Sequence, residues 1–178
     1  IRAFCQLDVL RLFGQMPQGA SQQVELPYSE TTSIDEMPAY YGFDAYVAKL
    51  ESDLVKAESF LKDSDPVFQY TFSNLNSVSG NELNDSYMYY RQARMNYWAV
   101  KAIQARMYLY LGKKEKAYAL AKGIIDAKGV DGKPVMTMSG ETDIAKGYKT
   151  CPSECLLYLS KYNVKTYSTE FLLGNQTD

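Results

Sequence analysis

The stretch that most constrains this fold is 96–126, NYWAVKAIQARMYLYLGKKEKAYALAKGIID, where two helical patterns meet at Gly112. Each pattern carries one stripe of small or apolar residues: Ala102, Ala105 and Leu109 in the first, and Ala117, Ala121 and Ile124 in the second. Small residues let two antiparallel helices approach closely, and glycine favours the left-handed turn that ends the first helix. The sequence therefore predicts a helical hairpin over 95–128, of the kind that stacks in solenoid proteins and usually binds or scaffolds.

The composition indicates one globular domain, or a piece of a larger one, over residues 1–178. Hydrophobic residues make up 46% of the chain, which is enough for a core, and the net charge of −2 lacks the basic surface of nucleic-acid-binding proteins. The chain has no histidine, which removes the Ser-His-Asp and Cys-His nucleophile arrangements and the commonest zinc ligand. These observations favour a binding or structural role.

The three cysteines are Cys5, Cys151 and Cys155. An odd count argues against a disulfide framework. Two neighbouring thiols make a poor zinc site, because structural zinc takes four ligands. We therefore predict no metal and no cofactor, and a Cys151–Cys155 disulfide stays an alternative to ordinary thiols.

Two further helices are predicted, over 1–13 and 43–63. Apolar residues recur along the first at Phe4, Leu7, Leu10 and Phe13, with Gly14 ending it, and along the second at Phe43, Val47, Leu50, Leu54, Ala57 and Leu61. The predicted first helix already contains Ile1, and neither an initiator Met nor a signal peptide precedes it. We therefore expect the chain to be the middle of a longer protein.

The segments between these helices have no sustained period. Residues 15–42, 66–92 and 129–140 are predicted loops, and a loop as long as the first is more often functional than idle. Short apolar runs at 156–160 and 170–173 are candidate strands by composition. The overall prediction is a mainly all-α protein with long irregular loops and minor strands near the C-terminus.

Tyrosine is the compositional outlier, with 16 residues against 7 Phe and 1 Trp. Tyr rings suit half-wet surfaces, where the ring packs and the hydroxyl reaches a partner. We expect Tyr108, Tyr110 and Tyr118 to pack between helices, because they occur at helical spacing. The candidate ligand-binding residues are loop aromatics away from the helical seams: Tyr28, Tyr40, Tyr41 and, more weakly, Tyr70. The alternative for Tyr40 and Tyr41 is that they staple the loop to the second helix.

Paired carboxylates are the sequence feature that would indicate a glycosidase. Glu51, Asp53 and Glu58 are close in sequence, but the helical pattern places them on a solvated face. We therefore predict no enzymatic activity.

Four blocks in order resemble the SusD/RagB family of Bacteroidetes outer-membrane nutrient-binding lipoproteins. They are AFCQLDVLRLFGQMP (3–17), LPYSETTSIDEMPAYYGFDAYVAKLESDLVKAESFLKDSDPV (26–67), RMNYWAVKAIQARMYLYLGKKEKAYALAKGIID (94–126) and SECLLYLSKYN (153–163). The third block also fits the tetratricopeptide repeat in part, with Tyr108 and Ala117 on its aromatic and small positions. Family members are longer, so the resemblance implies the N-terminal to central part of such a protein.

The resemblance implies an α-helical core with tetratricopeptide-like hairpins. It also implies non-catalytic, cell-surface capture of glycans or peptides, delivered to a TonB-dependent transporter of the SusC type. The expected location is the outer membrane, through a lipid anchor that is not present in this chain. The alternative function is a helical-repeat adaptor that binds a protein.

Overall fold

The computed structural model describes residues 1–15, 23–33, 35–76, 83, 85–145 and 151–159. This part of the chain is mostly helical, as predicted. Its helices are α1 (Arg2–Phe13), α2 (Phe43–Lys62), α3 (Phe72–Leu75), α4 (Tyr97–Tyr110), α5 (Lys114–Ile125) and α6 (Glu141–Ala145). Its strands are β1 (Leu26–Tyr28) and β2 (Ala39–Tyr41), and single 3-10 turns lie at Pro66–Phe68, Ser86–Met88, Arg91–Ala93 and Pro152–Glu154.

The first predicted helix is confirmed as α1, with Gly14 directly after it. A Cβ at Gly14 would lie 2.4 Å from the Leu10 carbonyl oxygen, so the missing side chain lets the backbone leave the helix here. Leu7 and Leu10 are buried as expected, whereas Phe13 is exposed, so its assignment to the apolar face is wrong. Residues 16–22, with the predicted helix stops Pro17 and Gly19, lie outside the described residues.

The second predicted helix is confirmed as α2, and its apolar seam faces the core. Val47, Leu50 and Leu54 are buried, and the other three seam residues (Phe43, Ala57 and Leu61) are half-buried against the same cluster. Tyr46 joins them, and its hydroxyl donates to the Gln6 carbonyl at 3.0 Å. Burial raises the pKa of Tyr46 to about 12, so this hydroxyl keeps its proton at neutral pH.

The prediction of an irregular 15–42 is wrong at two places, because β1 and β2 pair antiparallel with Leu26 opposite Tyr41 and Tyr28 opposite Ala39. Each strand has only three residues, which is too short for alternation to stand out from the surrounding loop. The two paired strands pack on the helices, β1 on α1 and α2 and β2 on α2.

The predicted helical hairpin is confirmed in outline by α4 and α5. Asn96 caps α4 by accepting from the Ala99 amide at 2.9 Å, and Gly112 has φ +72°, the left-handed conformation expected of the turn. Three residues join the two helices, which pack along each other and therefore run antiparallel.

The residues predicted to form the seam of this hairpin are only partly correct. Ala117 and Ile124 are buried, but Leu109 is 63% exposed and Ala121 is also exposed. Tyr108 and Tyr110 are half-buried, whereas Tyr118 is 69% exposed, contrary to prediction. The buried side of α4 is instead the row Val100, Ile103 and Met107, which faces the other helices.

One hydrophobic core joins α1, β1, α2 and α4. It consists of Ala3, Leu7, Leu10, Leu26, Tyr28, Tyr46, Val47, Leu50, Leu54, Val100, Ile103 and Met107. Among the described residues, no helix is long and apolar enough to span a bilayer.

The predicted strand at 156–160 is wrong over the described residues 156–159, which belong to no strand. This segment is held instead by bonds to the region before α4. The side-chain amide of Asn96 donates to the Leu156 carbonyl at 2.8 Å. The backbone amide of Tyr158 donates to the backbone carbonyl of Gln92 at 2.8 Å. The other candidate strand, 170–173, lies outside the described residues.

Candidate functional site

The structure separates the four tyrosines that the sequence offers as ligand-binding residues. Tyr28, Tyr40 and Tyr41 lie on the β1–β2 hairpin, whereas Tyr70 lies beyond α2 and lines a cleft. None of the first three lines that cleft. The four residues therefore do not form one site.

Tyr28 is a core residue, which corrects the prediction of a loop aromatic away from the helical seams. Its side chain is 2% exposed and packs edge-on against Tyr46, with ring centroids 5.0 Å apart. Its hydroxyl donates to Asp53 at 2.7 Å. Burial, followed by this bond to a carboxylate, raises the pKa of Tyr28 far above its ordinary value.

Tyr40 and Tyr41 differ in exposure. Tyr41 is half-buried against the core and its ring lies 4.7 Å from the Lys49 ammonium on α2, which agrees with the staple alternative. Tyr40 is 58% exposed and is opposite Pro27 in the sheet. Among the three tyrosines of the β1–β2 hairpin, Tyr40 is therefore the one whose ring is mostly exposed.

The candidate site is a cleft of about 150 Å³ between the start of α3, the start of α4 and the loop after α5. Three of its walls are aromatic: Tyr70, Phe72 and Trp98. Its polar side chains are Thr71, Ser73 and Asp131, and the remaining lining is Val67, Gly129, Pro134 and Val135.

One side of the cleft is positioned by Asp65, which lies three residues after the end of α2. Its carboxylate accepts from the Val67 amide at 3.3 Å and from the Tyr97 amide at 2.8 Å, so it holds a cleft residue and the first turn of α4 together. The Arg91 guanidinium binds both oxygens of the same carboxylate at 3.0 and 2.9 Å. Both side chains are buried, and the walls carried by Val67 and Trp98 are therefore anchored.

The opposite side of the cleft is a tight loop after α5. The Gly129 amide donates to the Lys133 carbonyl at 2.8 Å, and Gly132 takes φ +74°, which glycine tolerates best. The Asp131 carboxylate accepts from the Lys133 amide at 3.1 Å, which keeps one oxygen occupied within the loop. Asp131 is exposed, and its other oxygen lies 4.0 Å from the Lys133 ammonium, so a charged acceptor lies beside the three aromatic residues of the cleft.

Trp98 is held from behind by an aromatic cluster. Its ring centroid lies 5.0 Å from that of Tyr97 and 6.0 Å from that of Phe68, and the last two are 4.8 Å apart. The indole Nε1–H of Trp98 is covered and has no acceptor within the described part of the chain.

The carboxylates considered for glycosidase chemistry are tied into structural bonds. Glu51 accepts from the Tyr108 hydroxyl, Asp53 from Arg2 and Tyr28, and Glu58 from Lys101 and Gln104. Burial acts to raise the pKa of Asp53 and of Glu58, but these hydrogen bonds outweigh it and lower both values. The three groups are half-buried in contacts between elements, not on a solvated face as predicted.

The cysteines and acidic groups offer no metal site in the residues that the structure covers. Cys5, Cys151 and Cys155 are free thiols, and no group of three or more potential ligands comes together in the described segments.

Sequence reasoning found Tyr70 but missed Trp98 and Asp131. Trp98 is the single tryptophan of the chain and directly follows Tyr97, a pair that helical periodicity assigns to packing. Asp131 lies between Gly129 and Gly132, which marks a turn but does not reveal what the turn faces. Only the contact between sequence-distant loops brings these residues together.

Comparison with known proteins adds no assignment. The chain matches no protein-family model, and a search of curated proteins finds no match to it.

Proposed function

We propose that this protein is a non-catalytic capture module whose cleft binds one end of a glycan. The observation that carries the proposal is the juxtaposition of Tyr70, Phe72 and Trp98 with the Asp131 carboxylate. Aromatic rings take the apolar CH face of a sugar, and a carboxylate with nearby hydroxyls accepts and donates hydrogen bonds to its OH groups. A peptide side chain is the other ligand class that this combination suits.

The small size of the cleft supports binding of one end of a glycan and not enclosure of a whole ligand. Its volume of about 150 Å³ is below the roughly 300–1,000 Å³ of pockets that surround a drug-sized molecule. The lining carries one carboxylate, Asp131, whereas most glycoside hydrolases use a pair. Binding without cleavage is therefore the activity that the residues favour.

The resemblance to the SusD/RagB family supports a further proposal about cellular location and partner. We propose that the module works at the outer-membrane surface as a lipoprotein and hands its ligand to a SusC-type TonB-dependent transporter. We also propose that α4 and α5 form a tetratricopeptide-like unit. Tyr108 and Ala117 on the matching positions of the repeat support it, as does the short turn at Gly112.

The second candidate function is a helical-repeat adaptor that binds a protein. It is favoured by one observation, the exposed apolar side chains Leu109 and Tyr118 on the hairpin. The two functions differ in ligand class and in the surface used, so variants separate them.

The test is affinity electrophoresis in gels containing soluble α-glucans, β-glucans, xylans, mannans or mucin glycans, followed by calorimetry with the matching oligosaccharides. We expect retardation by at least one polysaccharide. Trp98→Ala and Tyr70→Ala should weaken it at least about tenfold, equivalent to about 1.4 kcal/mol. Asp131→Asn, which keeps the shape of the loop, should weaken binding less.

Tyr40→Ala is the matched control, because it removes an exposed aromatic ring outside the cleft. Loss of binding in this variant with retention in Trp98→Ala would move the site to the β1–β2 hairpin. Mobility unchanged by every polysaccharide, with binding of a peptide digest instead, would replace glycans by peptides as the ligand. Circular dichroism of each variant checks that the fold is intact.

A further inference from the structure

The α4–α5 hairpin has an apolar groove on the side opposite the core. Val100, Ile103 and Met107 face the core, and the helical spacing puts Ala105 and Leu109 on the other side of α4. Ala117 and Ala121, also four residues apart, meet them from α5. The stripe of small residues that predicted the hairpin therefore lines an open surface in addition to the contact between the helices.

The shape of this groove suits the packing of another helix. Its volume is about 440 Å³, and alanines form much of its lining, so an incoming backbone can come close. Leu109 and Tyr118, both mostly exposed, line it as well. The adjacent backbone is helical and internally bonded, so it has no free edge to which an extended strand could add, whereas a helix satisfies its own backbone and needs only side-chain contacts.

The charges at the groove specify the partner. The lining includes Arg106 and Lys114, and none of the lining residues is acidic. Arg106 lies 3.9 Å from the Asp8 carboxylate on α1, so Lys114 is the cation of this lining for which no ion pair is seen in the described residues. A partner must therefore be apolar along its centre and negative along its edges.

We propose that this groove binds an amphipathic helix of another protein, with apolar residues at intervals of three and four and Asp or Glu beside them. A second copy of this chain is a poorer occupant, because a two-fold pairing of identical faces would bring Arg106 and Lys114 against their own counterparts. The proposal rests on the second candidate function, the adaptor, and makes its partner specific. The groove does not include the aromatic cleft, so this proposal stands or fails separately from glycan binding.

The experiment uses two labelled peptides of about 18 residues with the same leucine stripe, one flanked by Glu and the other by Lys. Fluorescence anisotropy with the full chain should give saturable binding of the Glu peptide and at least about tenfold weaker binding of the Lys peptide. Lys114→Glu should weaken the first and strengthen the second. This variant keeps the fold, because an acidic residue is favourable in the first turn of a helix.

Leu109→Ala tests the apolar part of the groove and should weaken the Glu peptide at least about fivefold. Phe60→Ala is the matched control, because it truncates a 77% exposed apolar side chain on α2, outside the groove, and should leave binding unchanged. Equal affinity for both peptides, or no saturable binding at roughly 1 mM, would overturn the proposal.

Two further measurements assign the face if the peptides do not bind. A dimer in light scattering that Leu109→Ala converts to monomer would make the groove a self-association surface. Sedimentation with phosphatidylserine-containing vesicles that Leu109→Ala abolishes would make it a lipid contact. Either result would replace the helical partner and overturn the inference.

Discussion

Asp65 and Arg91 form a buried two-pronged ion pair that joins the segment after α2 to the 3-10 turn before α4, with N–O distances of 3.0 and 2.9 Å. Asp65 is 26 residues before Arg91, and its carboxylate also accepts from the Tyr97 amide. Arg91 in turn donates to the Met95 carbonyl at 2.9 Å. The pair therefore sets where Trp98 lies relative to the Val67 side of the cleft.

Replacing Arg91 by Met should lower the free energy of unfolding by about 3–5 kcal/mol, because it leaves the Asp65 carboxylate buried without its counter-charge. Urea denaturation measures the change. Arg11→Met is the control, since the Arg11–Asp8 pair is partly exposed and should contribute no more than about 1 kcal/mol. Equal, small effects in the two variants would contradict the structural role of the buried pair.

Two glycines of the hairpin should respond to alanine in opposite directions. Gly112 has φ +72°, so Gly112→Ala should destabilise the protein by roughly 1–2 kcal/mol. Gly123 lies within α5, and a Cβ added there would meet nothing within 4 Å, so Gly123→Ala should stabilise the protein by roughly 0.5–1 kcal/mol. Thermal melts of both variants measure this, and shifts of the same sign would disagree with the placement of the turn.

Truncating a side chain at the centre of the buried face of α2 should lower the stability of the protein strongly. Leu50 is completely buried, and Leu50→Ala should lower the free energy of unfolding by about 2–5 kcal/mol through lost burial and the cavity it leaves. Val55→Ala, on the exposed side of the same helix, should change it by less than about 0.5 kcal/mol. Chemical denaturation compares the two, and a costly Val55→Ala would mean that α2 presents a different face to the core.

Stability should fall in acid through Asp53 and Glu58. The pKa of each is lower in the folded protein than its ordinary value of 3.8 or 4.5. The unfolded chain therefore takes up protons first. The stabilisation from these two groups is present at neutral pH and is lost as the pH falls below about 5 and through their lowered pKa values in the folded protein.

Urea titrations across this range measure the decline. The double variant Asp53→Asn with Glu58→Gln should show a shallower loss, whereas Asp35→Asn, in an exposed loop, should follow the parent protein. An unchanged slope in the double variant would remove these two groups as the origin.

Local signals in the sequence predict the helices well but not the site. Periodicity identified α1 and α2 because their apolar residues face one core, and Gly112 marked the turn because its backbone is left-handed. The same reasoning assigned Leu109 and Tyr118 to packing, but both are exposed. Helical spacing of apolar residues is the same in sequence whether or not another element covers them. β1 and β2 escaped notice because three residues are too few to show a period.

The sequence by itself determined the mainly helical class, the bounds of α1 and α2 and the position of the hairpin turn, because these depend on spacing and backbone preference within a few residues. Only the tertiary structure decided that Tyr28 is buried, that Asp65 and Arg91 pair, and that Tyr70, Trp98 and Asp131 share one cleft. Those facts depend on which sequence-distant surfaces meet, and no local pattern carries that information.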